Sequence, residues 1–141
     1  MDMYILYDYA MKQIGLPYRW SGDDSIEGYD CSGLVVEILT AAGVLPHKSD
    51  FTAQGLFDKF SITGTSMDDK PCLGCLTFYG KSREQVSHVG FVVDAKTIIE
   101  AGGGGRTTTD KEKASDQNAF IRLRPLNYRS DLLRVILPKY P

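Results

Sequence analysis

The chain has 141 residues, 43% of them apolar, with 16 basic and 18 acidic side chains and a net charge of −2. That length and apolar content suffice for a packed core. The charge balance excludes a polyanion-binding role resting on total charge, and no run is long and apolar enough to span a membrane. The charges are uneven, 5 basic and 11 acidic over residues 1–70 against 11 and 7 over residues 71–141. The basic excess is scattered rather than clustered, which argues against a nucleic-acid partner. Three cysteines cannot all pair within one chain, so a disulfide framework is not expected. Met1-Asp2-Met3-Tyr4 lacks the basic start of a secretory signal, and no apolar stretch follows it. The expectation is synthesis in a cytoplasm with no recognisable export route.

In chain order, residues 3–14 place Tyr7, Ala10, Met11 and Ile14 at helical spacing, with Asp2 able to cap the start and Gly15 and Pro17 ending the helix. Residues 16–30 read as a turn-rich loop carrying Tyr18 and Trp20. The spacing of Leu34, Val35, Ile38, Leu39 and Ala42 predicts a central helix over 31–42, stopped by Gly43. Thr52 caps a third predicted helix over 53–60, whose inner face is Leu56, Phe57 and Phe60. Residues 61–72 read as a connection. Short strand-like runs follow at Leu73–Tyr79, His88–Val93, Thr97–Glu100, Phe120–Arg124 and Leu133–Leu137. The glycine run 102–105 and the polar segment 106–118 read as a flexible loop among the strands. Helices first and strands later predict an α+β domain over residues 1–141, with N-terminal helices packed on a mostly antiparallel sheet of about five strands.

Cys31 falls where turn-forming residues give way to the central helix. Unpaired N–H groups and the macrodipole at a helix N-terminus favour an anion, and a thiolate is the nucleophilic form of cysteine. Such a nucleophile needs a base. The chain has two histidines, His47 in a Pro-containing loop and His88 at the start of a strand. A histidine in that position is by itself more often a surface or capping residue. Glu100 ends the next strand-like run. A tight turn at 94–96 would fold that run back on the His88 strand and bring the carboxylate beside the imidazole. Cys72 and Cys75 form a C-x-x-C without the second pair of a zinc site or the strand-to-helix setting of a redox site, so Cys75 reads as a buried structural thiol within a strand. No metal site is expected. The glycine run lacks the spacing of a phosphate loop.

Asp30-Cys31-Ser32-Gly33, then Ser87-His88-Val89-Gly90, then Glu100, resemble in content and order the NlpC-type cysteine peptidases, papain-like enzymes that cut bacterial cell-wall stem peptides. The resemblance covers most of the chain. Pro17-Tyr18-Arg19-Trp20-Ser21-Gly22 is similar to the family's aromatic segment before the nucleophile, and Gly74-Cys75-Leu76-Thr77-Phe78-Tyr79 to its first core strand. The resemblance implies a papain-like fold, with Cys31 as nucleophile, His88 as general base and Glu100 as the group that orients it. It implies Tyr18 beside the nucleophile, and Asp30, Ser32 and Ser87 in the subsites that hold the free amine end of the stem peptide. No metal or organic cofactor is implied. Two positions depart from the family pattern: its third catalytic position is most often His, and its first strand usually carries Asp where this chain has Cys75. The implied reaction is hydrolysis of the peptidoglycan bond between γ-linked D-Glu and the diamino acid. The alternatives are an N-acetylmuramoyl-L-alanine amidase, a catalytically silent binding module, or an acyl transferase or deamidase effector acting away from the wall. Without an export signal, the expected setting is a phage product such as a lysin, in the virion or the host cytoplasm, with phage tail components as partners.

Overall fold

The computed structural model describes residues 1–24 and 28–141, so part of the expected 16–30 loop lies outside the described residues. Three helices come first: α1 (Met3–Met11), α2 (Cys31–Ala41) and α3 (Ala53–Thr63). Each begins where a side chain replaces the missing helical acceptor. Asp2 accepts from the Tyr4 N–H, Asp30 from the Gly33 N–H and Thr52 from the Gly55 N–H. The apolar stripe expected for α2 is the one found, with Leu34, Val35, Ile38, Leu39 and Ala42 all buried. Each large apolar side chain contributes about 1.5–3 kcal/mol, which outweighs the roughly 1 kcal/mol cost of Gly33 inside the helix. That glycine is required by close approach: a Cβ there would lie 2.0 Å from the Gly22 carbonyl oxygen. In α1 the stripe is Leu6 and Ala10; the helix ends at Met11, and Ile14 is exposed. In α3, Leu56, Phe57 and Phe60 face the core as expected, with the Phe57 ring edge-on to Phe78 at 5.3 Å.

A two-residue hairpin, β1 (Asp23–Asp24) with β2 (Gly28–Tyr29), precedes α2. The main sheet has six strands, one more than the sequence suggested: β3 (Thr65–Ser66), β4 (Leu76–Gly80), β5 (Val86–Asp94), β6 (Thr97–Gly102), β7 (Phe120–Pro125) and β8 (Leu132–Leu137). Their order is β3-β8-β4-β5-β6-β7, with every pair antiparallel. The extra strand, β3, lies in the segment read as a connection. It has only two exposed residues paired to the end of β8, so it carries no alternation to detect. The first core strand starts at Leu76, and Cys75 stands just before it, in a turn closed by its own N–H on the Cys72 carbonyl. A fourth helix, α4 (Lys111–Asp116), interrupts the segment expected to be loop. Its single buried residue, Ala114, leaves no periodicity; the legible signal was Asp110, which caps the Lys113 N–H.

Alternation sorts the sheet into two faces. Val89, Phe91, Ile99 and Ala101 pack in the large core with the helices, whereas Tyr79, Val92, Ile98 and Val135 form a smaller cluster with Cys75 on the other face. His88 and Glu100 belong to this second set by parity. They lie at the end of the sheet where β5 begins and β6 finishes.

Candidate active site

The hairpin of β5 and β6 sets the first half of the site. Its register pairs Phe91 with Ile99 and Val92 with Ile98, and the same antiparallel course brings Glu100 alongside the start of β5. There the His88 Nε2 lies 3.0 Å from Glu100 Oε1. Both side chains are withdrawn from water, Glu100 to 2% exposure and His88 to 7%. With Nε2 taken by the carboxylate, Nδ1 is the ring nitrogen left for a partner from elsewhere in the chain. The Cys31 thiol lines the same cleft as His88 and is one of the two groups that raise its imidazole. The sulfur arrives on the first residue of α2, held there by the Asp30 cap at 2.7 Å from the Gly33 N–H. A tilted Tyr79 ring, 5.5 Å from the imidazole, backs the histidine.

The electrostatics follow from this packing. Burial pulls the His88 imidazole down, but hydrogen bonds to Cys31 and Glu100 and their negative charge prevail and raise it to about 9. Burial pushes the Glu100 carboxyl up, yet the His88 and Tyr128 hydrogen bonds and the charges of His88 and Arg124 hold it below the usual carboxylate range. The site therefore favours an imidazolium facing a carboxylate. Paired in this way, the two buried groups avoid the cost that either would carry alone.

Cys31 and His88 open onto a cleft of about 230 Å³, also lined by Tyr18, Trp20, Ser87 and Tyr128. The Tyr18 ring is buried, and its hydroxyl has no protein partner among the described residues. Asp30 and Ser32 line a second pocket of about 250 Å³ with Ser49 and Asp50. Of the residues named from the sequence, Tyr18, Cys31, Ser87 and His88 thus line one cleft, with Glu100 bonded to His88, while Asp30 and Ser32 line the next pocket. His47 lies outside both sets of lining residues. The glycine run, expected as a flexible loop, is a wall of this cleft. A Cβ on Gly104 would lie 2.3 Å from the Tyr18 ring, and one on Gly102 would lie 2.0 Å from Glu100 Oε2. Thr108, fully buried, ties the wall in place by accepting from the Gly105 N–H and offering its carbonyl to the Trp20 N–H.

Sequence reasoning missed Tyr128. It lies in the turn between β7 and β8, its hydroxyl donates to Glu100 Oε1, and nothing in its neighbourhood in the chain marks it. Among the described residues no three metal-ligating side chains cluster. The Cys72 and Cys75 sulfurs lie 3.6 Å apart as free thiols, and Cys75 is fully buried. No helix among the described residues is long and apolar enough to cross a membrane.

Residues 15–124 match the sequence profile of the NlpC/P60 family. This chain belongs to that family. The bifunctional muramidase/DL-endopeptidase CwlT of Bacillus subtilis is 32% identical to the NlpC/P60 chain over 114 residues, 78% of this chain and 32% of CwlT. A probable endopeptidase of Mycobacterium tuberculosis is 47% identical over 93 residues, 65% of this chain and 21% of the relative. The chain thus spans a third or less of these two relatives. In three dimensions it overlays RipD of Mycobacterium tuberculosis, a non-catalytic NlpC/p60 domain protein adapted to peptidoglycan binding. The TM-score is 0.67 at 17% identity, over 96% of this chain and 95% of RipD. The NlpC/P60 fold is therefore shared by proteins that differ in chemistry, and the side chains in the cleft must decide between them.

Proposed function

We propose that residues 1–141 form one catalytic unit, a thiol-dependent peptidoglycan endopeptidase that acts through Cys31, His88 and Glu100. The observation that carries this reading is the buried His88, hydrogen-bonded to Glu100 at 3.0 Å and opening onto the same cleft as the Cys31 thiol. A silent binding module has no need of a buried, paired imidazole beside a thiol at the mouth of a cleft. The substrate class comes from the family and from the relatives named as endopeptidases. The name DL-endopeptidase borne by one of them supports the bond between γ-linked D-Glu and the diamino acid.

In the reaction the Cys31 sulfur attacks the scissile carbonyl carbon while His88 holds the thiol proton. The C–N bond breaks as His88 passes that proton to the leaving amine, and a thioester remains on Cys31. Water, deprotonated by His88, then attacks the thioester; the product leaves as a carboxylic acid and the thiol is restored. N–H groups at the start of α2 and the Tyr18 hydroxyl would bind the oxyanion, a role worth roughly 10²–10³ in rate per donor. Glu100 keeps the imidazole oriented and charged. The neighbouring pocket, with Asp30, Asp50 and Ser32, suits the ammonium end of a stem peptide, and Ser87 lines the cleft that holds Cys31 and His88.

The test is digestion of purified peptidoglycan carrying meso-diaminopimelate or Lys, with the fragments identified by mass spectrometry. The wild-type chain is expected to release new amino groups at the D-Glu–diamino acid bond, and Cys31→Ala and His88→Ala to release none. Near-wild-type release by either variant rejects the assignment. Stem peptides freed whole from the sugar would assign an amidase instead.

A further inference from the structure

Glu100 Oε1 accepts two hydrogen bonds, from His88 Nε2 and from the Tyr128 hydroxyl. The second donor comes from a different part of the chain, 28 residues further on. We infer that Tyr128 is a positioning residue of this site, a fourth member that holds the Glu100 carboxylate in the orientation from which it holds His88. The inference rests on the proposed Cys31–His88–Glu100 reading and extends it.

Three observations support it. Glu100 is buried, and its other oxygen, Oε2, faces the backbone at Gly102 and receives no hydrogen bond among the described residues. Both fixed contacts therefore converge on Oε1, and without Tyr128 only His88 would restrain the carboxylate. Tyr128 is itself packed in place: the Arg124 guanidinium lies over its ring at 5.2 Å, and the Tyr79 ring is 6.1 Å away. Its N–H also closes a turn on the Pro125 carbonyl at 3.1 Å. Tyr128 lines the cleft and its hydroxyl donates to the carboxylate, so a single side chain both walls the cleft and fixes the group behind the histidine.

A hydrogen bond given to a carboxylate favours its charged form. Removing it lets Glu100 take up a proton at higher pH, which weakens its hold on the imidazolium. The groups around Glu100 are His88 from β5, Arg124 from β7, Tyr79 from β4 and Tyr128. Arg122, its register partner on β7, turns its guanidinium to the Gly102 and Asn118 carbonyls. Around His88 are Cys31, Glu100, Tyr79 and Asp131. Apart from His88 and Tyr128, none of these groups donates a hydrogen bond to Glu100.

The experiment uses Tyr128→Phe in the full chain, which keeps the ring, its Arg124 contact and the cleft wall and removes one oxygen. Alkylation of Cys31 by iodoacetamide is followed across pH, with the labelled peptide resolved from those of Cys72 and Cys75. The kcat and KM values on peptidoglycan fragments are measured alongside. The expected result is an acid limb of alkylation displaced to higher pH and a kcat lowered about tenfold, with KM and the melting temperature unchanged. Tyr128→Phe with the wild-type acid limb and wild-type kcat overturns the inference while leaving the triad standing. Wild-type Cys31 that alkylates no faster than Cys72 at pH 6 removes the triad itself, and Tyr128's role with it. A fall in melting temperature accompanied by an unmoved acid limb assigns Tyr128 a structural role only and also overturns the inference.

Discussion

Two glycines three positions apart should respond in opposite ways to the same added methyl group. At Gly102 an alanine Cβ would lie 2.0 Å from Glu100 Oε2 and 3.1 Å from its Cδ. Ordinary carbon contacts lie at ~3.5–4.0 Å, so the carboxylate must retreat by about 1 Å or more. The end of a glutamate side chain can move at little cost to the fold, but here its movement is costly to the site. The His88 bond is 3.0 Å long, and a retreat of that size carries it out of hydrogen-bond range. Loss of a hydrogen bond to a charged group costs about 1.5–3 kcal/mol, which is roughly 10- to 150-fold in kcat/KM if all of it reaches the transition state. At Gly105 nothing lies within 4 Å of the added Cβ, and the backbone is not in the left-handed region. Gly105→Ala should therefore match wild type. The assay is release of amino groups from peptidoglycan, paired with thermal melts to show that both variants fold. Gly102→Ala with wild-type turnover would refute the claim that a Glu100 held in this position matters to the chemistry.

Three further outcomes follow from the same geometry. Because His88 is raised to about 9, its protonated form persists through neutral pH. Activity that needs an imidazolium should fall as pH rises through about 9, and the stability lent by the His88–Glu100 pair, complete below the free histidine value of about 6.5, should fade over the same window. A basic limb near pH 6.5 would contradict this. Tyr18→Phe should lower kcat by roughly 10²-fold with little change in KM, and an unchanged kcat would remove its hydroxyl from the oxyanion site. Thr52→Ala removes the α3 cap, a 3.0 Å bond from the Gly55 N–H; it should cost about 1 kcal/mol and lower the melting temperature by about 3–4 °C, and an unchanged melting temperature would contradict this.

What the sequence determined on its own was local. Caps at Asp2 and Thr52, the α2 stripe and the turn at 94–96 are written in neighbouring residues, because helices and hairpins bury side chains at short, regular spacings. The hairpin accounts for His88 meeting Glu100, and the order of the Cys and His motifs points to the family. Elements with little to bury left no such trace. β3 pairs two exposed residues with β8, and α4 buries only Ala114.

Only the tertiary structure decided the rest. The Cys31 sulfur shares a cleft with a ring 57 positions away because α2 packs against β5. Tyr128 reaches Glu100 because β7 borders β6 and the turn after β7 passes beside the cleft. The glycines at 102 and 104 are set by the carboxylate and the ring pressed against their backbone, not by any turn their own neighbours specify. These contacts join residues distant in sequence, and a one-dimensional pattern carries no information about which distant side chains will share a wall until the whole core has packed.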